Sequence, residues 1–141
     1  MTDRQRLVDQ LILHEGIHLK VYRDTMGIET IGVGRNLRDK GLSEQEAMLL
    51  LDHDVEEVTR DLETWPWYAA LDPIRQRGLC DLRFNLGPTR FRGFKMLLRK
   101  VGEGDYVAAS HALQDSVWFT QVGARGPRLV TMLRTGQDYT I

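Results

Sequence analysis

The segment His14-Glu15-Gly16-Ile17-His18-Leu19-Lys20-Val21-Tyr22-Arg23-Asp24-Thr25-Met26-Gly27-Ile28-Glu29-Thr30-Ile31-Gly32-Val33-Gly34 passes from a helical pattern into short, glycine-punctuated strands. Before it, Leu7, Val8, Leu11 and Ile12 recur at helical spacing over residues 3–14. Gly16 follows as a stop, because glycine accepts the left-handed conformation that ends many helices. Glu15 therefore stands at a helix C-terminus, where the dipole's negative pole disfavours a second negative charge. That suits a proton donor.

After Gly16 the period changes. Leu19 and Val21, then Thr30, Ile31 and Val33, read as strands, with Asp24-Thr25-Met26-Gly27 as the turn between them. In Thr30-Ile31-Gly32-Val33-Gly34 side chains alternate with glycine, which weakens a strand but lets another group approach the backbone closely. The Gly-Lys-Ser/Thr ending of a phosphate loop is absent. Taken singly, Glu15 reads as a helix-end acid, Asp24 as a turn residue and Thr30 as a strand residue. Two carboxyls and a hydroxyl on one small scaffold also fit hydrolysis of a glycosidic bond.

Downstream, Ser43 and Glu46 form a capping box that opens a helix. Ala47, Leu50, Leu51, Val55, Val58 and Leu62 carry it to Trp65-Pro66, a long connection between a strand-bearing front and a helical rear. Asp54 lies among these apolar positions, and Arg35 is its candidate cation. Asp72-Pro73 starts the next helix and Gly87-Pro88 ends it. Further helices are expected from Phe94 to Val101, from Tyr106 to Leu113 behind Asp105, around Trp118 behind Ser116, and from Pro127 to Gly136.

A chain of 141 residues can bury one core, or a core with a small satellite lobe. Its single cysteine, Cys80, excludes an internal disulfide and reads as a small buried hydrophobe. No apolar run reaches the ~20 residues of a membrane span, and the polar start Met-Thr-Asp-Arg shows no secretory signal. Zinc, calcium and Ser-His-Asp signatures are missing, so neither metal nor cofactor is expected. A net charge of −1 argues against general nucleic-acid binding. The charge is divided, however: residues 1–65 carry a balance of −6 and residues 66–141 one of +5. Arg90, Arg92, Lys95, Arg99 and Lys100 are the densest basic cluster, thinly interleaved with Phe91 and Phe94. Two ordinary solvated surfaces, or one surface with an anionic partner, both fit this division.

Taken together, His14-Glu15-Gly16, Tyr22-Arg23-Asp24-Thr25, Gly27 and Thr30-Ile31-Gly32-Val33-Gly34 resemble the active-site segment of phage-type lysozymes, the T-even phage lysozyme-like endolysins. The Glu-x8-Asp-x5-Thr spacing of that family is met by Glu15, Asp24 and Thr30. Phe84-Asn85-Leu86-Gly87, Gly93-Phe94, and the run of Ser116, Trp118, Gln121, Arg125, Arg128 and Arg134-Thr135-Gly136 extend the likeness across nearly the whole chain.

The resemblance implies a single lysozyme-like domain over 1–141, with a mainly helical, two-lobed α+β fold. A small β-hairpin lobe would cover about 15–42 and a connecting helix about 43–64. A helical lobe would take 66–141 together with the N-terminal helix 3–14. The implied reaction is cleavage of the β-1,4 bond between N-acetylmuramic acid and N-acetylglucosamine in peptidoglycan. Glu15 would protonate the leaving oxygen, and Asp24 with Thr30 would position a water on the opposite face of the sugar. Such a pair implies inversion and a carboxyl separation of roughly 6.5–9.5 Å. Phe94, Gln121, Asp81 and Gly34 are the implied substrate contacts, and Arg35 with Asp54 the implied structural pair.

Arg35 stands where some family members carry a histidine paired with the aspartate that matches Asp54, and three departures from the T-even enzyme stand beside it. The segment Arg38-Asp39-Lys40-Gly41 is shorter, Val117 replaces a substrate-binding arginine, and Asp81 replaces a helix asparagine. A monomer is expected, held in the host cytoplasm without stable membrane association until a holin releases it to the periplasm and cell wall. The basic rear half would then steer the carboxylates of stem peptides. A lysozyme-fold binding module without catalysis, and a glycosidase acting on chitin-like polymers, are the competing readings.

Overall fold

A computed structural model describes all of residues 1–141. The elements run α1 (Asp3–Glu15), β1 (His18–Arg23), β2 (Glu29–Gly32), β3 (Arg35–Asn36), α2 (Glu44–Glu63), α3 (Pro73–Leu86), α4 (Pro88–Arg92), α5 (Lys95–Gly102), α6 (Tyr106–Gln114), α7 (Val117–Gln121) and α8 (Arg125–Thr135). The fold is α+β and mainly helical. Two compact units divide the chain, Met1–Leu50 and Leu51–Ile141, with α2 beginning in the first and continuing into the second. No helix is long and apolar enough to cross a membrane.

In the first unit, Thr2 caps α1 through a reciprocal box with Gln5. Gly16 ends the helix at φ 75° and ψ 172°, outside the αL well expected of it but still at a positive φ. Its N–H closes on the Ile12 carbonyl. The hairpin β1–β2 pairs antiparallel, with Tyr22 opposite Thr30 and Arg23 opposite Glu29. A third strand, β3, adds to it through Thr30 opposite Asn36 and Ile31 opposite Arg35. The sheet thus exceeds the expected hairpin by one short strand. β2 is its centre, so Thr30 is flanked by Tyr22 of β1 and Asn36 of β3.

Ser43 and Glu46 make the capping box at the start of α2, each side chain accepting from the other's backbone N–H. In the second unit α3, α5, α6 and α8 surround a core that includes Leu79, Leu82, Phe91, Leu113 and Leu133. Asp72, Asp105 and Ser116 cap α3, α6 and α7 as expected. Two boundaries differ from expectation. Gly87-Pro88 ends α3 but also starts α4, because proline's missing N–H costs nothing at a first helical position. Likewise α8 begins at Arg125, which puts Pro127 inside its first turn rather than at its opening.

Arg75 ties the two ends of this unit together. It donates to the Leu133 and Arg134 carbonyls at 2.7 and 2.9 Å, satisfying two of the orphan acceptors that every helix C-terminus leaves. The same guanidinium bonds Asp72 and lies 3.9 Å from the centre of the Tyr106 ring. A half-buried cation thereby meets a carboxylate, two carbonyls and an aromatic face.

Candidate active site

The three residues expected to do chemistry all fall in the first unit, on consecutive pieces of backbone. Glu15 is the last residue of α1, Asp24 follows β1, and Thr30 is in β2. Each is fixed by a different device.

Asp24 is held by its own turn. Its Oδ1 accepts from the Met26 and Ile28 N–H groups at 2.8 and 2.9 Å. Its backbone N–H donates to the Ile28 carbonyl and its carbonyl accepts from Gly27, so both arms of the turn close on one residue. This is the local bonding that makes aspartate a turn former. Oδ2 takes no bond within the unit and remains available.

Thr30 is 3% exposed, the one buried polar side chain of this unit. Its hydroxyl donates to the Ile28 carbonyl at 2.8 Å. The proton is thereby committed, and the oxygen can act toward a ligand only as an acceptor.

Glu15 is set by what its neighbour lacks. A Cβ built on Gly34 would stand 2.8 Å from Glu15 Oε2 and 2.9 Å from its carboxyl carbon. Gly34 also has a φ of +63°, a conformation that other L-residues rarely adopt. The β2–β3 turn therefore closes against the carboxyl only because position 34 is glycine. No cation and no N–H of the first unit is bonded to Glu15.

Arg35 is the expected partner of Asp54. The structure gives its guanidinium another partner: Nη1 donates to Glu46 Oε1 at 3.0 Å, Nη2 to Glu46 Oε2, and Nη1 also to the Gly41 carbonyl at 3.2 Å. Glu46 was read only as a capping-box acid. It has four acceptor positions, and the cap uses one of them, so a planar guanidinium can dock on the rest. The Arg35 hydrogen bond first, and the Ser43 N–H and hydroxyl after it, lower the Glu46 carboxyl to about 2.

The expected substrate contacts are distributed. Gly34 lies on Glu15. Asp81 and Gln121 come together in a groove of about 590 Å³ in the second unit, with Asn85, Arg125, Arg128 and Tyr139. There Asp81 Oδ1 accepts from Arg125 Nε at 2.8 Å, and Asn85 Oδ1 accepts from the Trp118 indole N–H at 2.8 Å. Arg128 faces the Tyr139 ring at 5.5 Å. Phe94 is elsewhere, in a shallow hollow with Met96, Ala112 and Ser116. Arg125 and Arg128 had not been assigned to a site. Their three-residue spacing on one helix was the available signal, because it sets both on one face.

Residues 13–134 match the family model described as phage lysozyme. The chain is 27% identical over 158 residues to the probable T4-type lysozyme 1 of Dictyostelium discoideum, covering 91% of this chain and 93% of that protein. It is 32% identical over 112 residues to the endolysin of Salmonella phage P22, covering 74% of this chain and 76% of the endolysin. It is also 30% identical over 159 residues to the pre-baseplate central spike protein Gp5 of Enterobacteria phage T4, covering 92% of this chain but only 28% of the spike protein. The chain belongs to the phage lysozyme family, a family of lysozyme-type glycoside hydrolases.

Proposed function

We propose that this protein is an endolysin-type muramidase, which cleaves the β-1,4 bond between N-acetylmuramic acid and N-acetylglucosamine of peptidoglycan with inversion. The observation that carries this reading is the contrast between the two carboxyls of the first unit. Asp24 has one oxygen pinned by two backbone N–H groups and the other left open. Glu15 packs on the bare backbone of Gly34 with no cation bonded to it there. A carboxylate aimed by its turn suits the handling of water, and an unpaired carboxyl suits proton donation.

In the proposed step Glu15 gives its proton to the glycosidic oxygen as that bond breaks. Asp24 Oδ2 accepts a proton from the attacking water, and Thr30 Oγ accepts a hydrogen bond from the same water. The water's oxygen bonds the anomeric carbon on the face opposite the leaving group, which inverts its configuration. Asp81, Gln121, Phe94 and Gly34 are proposed contacts of the glycan. Action as a monomer, with holin-dependent release from the host cytoplasm to the cell wall, belongs to the same proposal.

The test is loss of turbidity in permeabilised Gram-negative cells, comparing wild type with Glu15→Gln. The wild type is expected to clear them and the variant to fall by at least a hundredfold, as loss of a general acid commonly does. Clearing by the variant would remove Glu15 from the acid role, and no clearing by wild type would favour a non-catalytic binding module. Nuclear magnetic resonance of freshly released reducing ends then reads the anomer directly.

A further inference from the structure

We propose that the surface between the turn at Trp65–Trp67 and α5 is a second, non-catalytic glycan site, which takes cell-wall strands bearing carboxylates. This rests on the peptidoglycan reading above and adds a place where the polymer is held. The site is a groove of about 460 Å³ whose lining includes Trp65, Pro66, Trp67, Arg92, Lys95 and Arg99. None of these residues belongs to the Glu15, Asp24 and Thr30 set.

Two features of the groove point to a ligand. The first is aromatic. Trp65 and Trp67 stack with ring centroids 5.4 Å apart and planes 29° from parallel. Both are half-buried, resting on the core while part of each ring stays in solvent. Trp67 seats on the backbone of Gly102, where a Cβ would come within 3.2 Å of its Cδ1. Two adjacent indoles held half in water form a rigid apolar platform. The C–H face of a pyranose ring is apolar and slightly positive, so it complements the negative face of an indole.

The second feature is charge. Arg92 is committed to Asp61 at 2.6 Å. Lys95 and Arg99 have no acidic partner; the Arg99 guanidinium reaches only the Met96 sulfur. They stand four residues apart on α5, where like charges oppose helix formation. Lys95 is also the first residue of α5, where the dipole's positive pole disfavours a cation. Two cations without an acidic partner, the first of them at an unfavourable helix start, beside an aromatic platform are complementary to a sugar chain that carries carboxylates. A single-stranded nucleic acid would also meet cations and aromatics here, and the retention test separates the two ligands.

The probe is purified Gram-negative sacculi, sedimented with the Glu15→Gln protein so that binding is read without digestion. Adding Lys95→Glu and Arg99→Glu to that protein is expected to lower the retained fraction at least fivefold, and raising salt to about 0.3 M to lower retention of the Glu15→Gln protein but not of this charge variant. Trp67→Ala should lower retention as well while keeping the salt response, because Lys95 and Arg99 remain, and the surface charge variant guards against its failing to fold. In the Glu15-intact protein, the charge variant should raise KM on sacculi while turnover of a short soluble muramyl oligosaccharide stays within twofold. Unchanged retention of the charge variant would overturn the site, as would parallel loss of turnover on both substrates. Tighter binding to single-stranded DNA than to sacculi would overturn it in favour of a nucleic-acid surface. If wild type fails to digest sacculi yet the charge variant loses retention, the muramidase reading falls and the glycan site stands. If wild type digests and all variants are retained alike, the site alone falls.

Discussion

Gly34 and Glu15 are in contact where no side chain could be interposed: a Cβ at position 34 would stand 2.8 Å from Oε2 of the carboxyl. Glu15 comes from a helix end and Gly34 from the turn after β2, so the contact fixes the first carboxyl relative to the sheet that carries Thr30. The glycine is required twice, for its φ of +63° and for the space it leaves.

Gly34→Ala should therefore separate two effects. The positive φ costs about 1 kcal/mol of stability for a residue with a Cβ. The displaced carboxyl is a matter of position, where a shift of about 1 Å can cost 10²-fold in rate. Activity on cell walls is expected to drop by more than tenfold, in a protein whose thermal unfolding shifts by only a few degrees. A variant that keeps its wild-type rate would show that the carboxyl tolerates being pushed aside.

Asp24 allows charge to be separated from turn structure. Asp24→Asn keeps a carbonyl oxygen that can accept from the Met26 and Ile28 N–H groups, but removes the negative charge. Asp24→Ala removes both. Both substitutions should abolish most activity, while only the alanine variant loses stability, by about 1–2 kcal/mol for two backbone donors left without their acceptor. Urea unfolding of the pair decides this. Equal stability would mean that water replaces the carboxylate in the turn without cost.

What was legible in the sequence was local. Ser43 with Glu46, Asp72 before Pro73, Asp105 and Ser116 each announce a helix within three or four residues, and each is bonded as its type requires. The alternation around Thr30 announced the hairpin for the same reason. What escaped depends on partners distant in the chain. β3 is two residues long, too short for any period, and exists because β2 offers it an edge. Arg35 meets Glu46 across 11 positions, and Trp118 meets Asn85 across 33. The Trp65–Trp67 stack was hidden in what read as a helix ending at a proline. Spacing placed Glu15, Asp24 and Thr30 on helix end, turn and strand, but it carried no sign that Gly34 closes on the first of them.

The ion pair at the start of α2 makes a pH prediction. The Glu46 carboxyl sits at about 2 in the folded chain against an ordinary 4.5, chiefly because Arg35 donates to it. A group whose folded pKa is depressed stabilises above its unfolded value and loses that contribution as pH falls through the folded one. The Arg35–Glu46 contribution should thus be complete above about pH 4.5 and fade toward pH 2. Asp72 adds in the same direction: burial pushes it up, but the Arg75 N–H and guanidinium outweigh burial and leave it lowered. Glu46→Gln should be less stable than wild type at pH 7, with the gap narrowing as pH approaches 2. A gap that stays constant over this range would show that the pair contributes through packing alone.

Asp61 bears on two arginines at once, and removing it should be costly out of proportion to one carboxylate. It accepts from Arg83 Nε and from Arg92 Nη2, both at 2.6 Å. Arg83 is 5% exposed, and its other acid, Glu57, lies 3.6 Å away with most of its side chain in water. Asp61→Ala would leave the buried Arg83 guanidinium without its close carboxylate, at a cost of about 3–5 kcal/mol. Replacing both members, as in Asp61→Leu with Arg83→Met, removes the stranded charge along with its partner, so the double variant is expected to be more stable than Asp61→Ala. Arg92, half in solvent, can rehydrate in either case. Thermal unfolding of the single and double variants measures the coupling. A double variant no more stable than the single would place the cost in the lost shape of the α2–α3 contact, not in the unpaired charge.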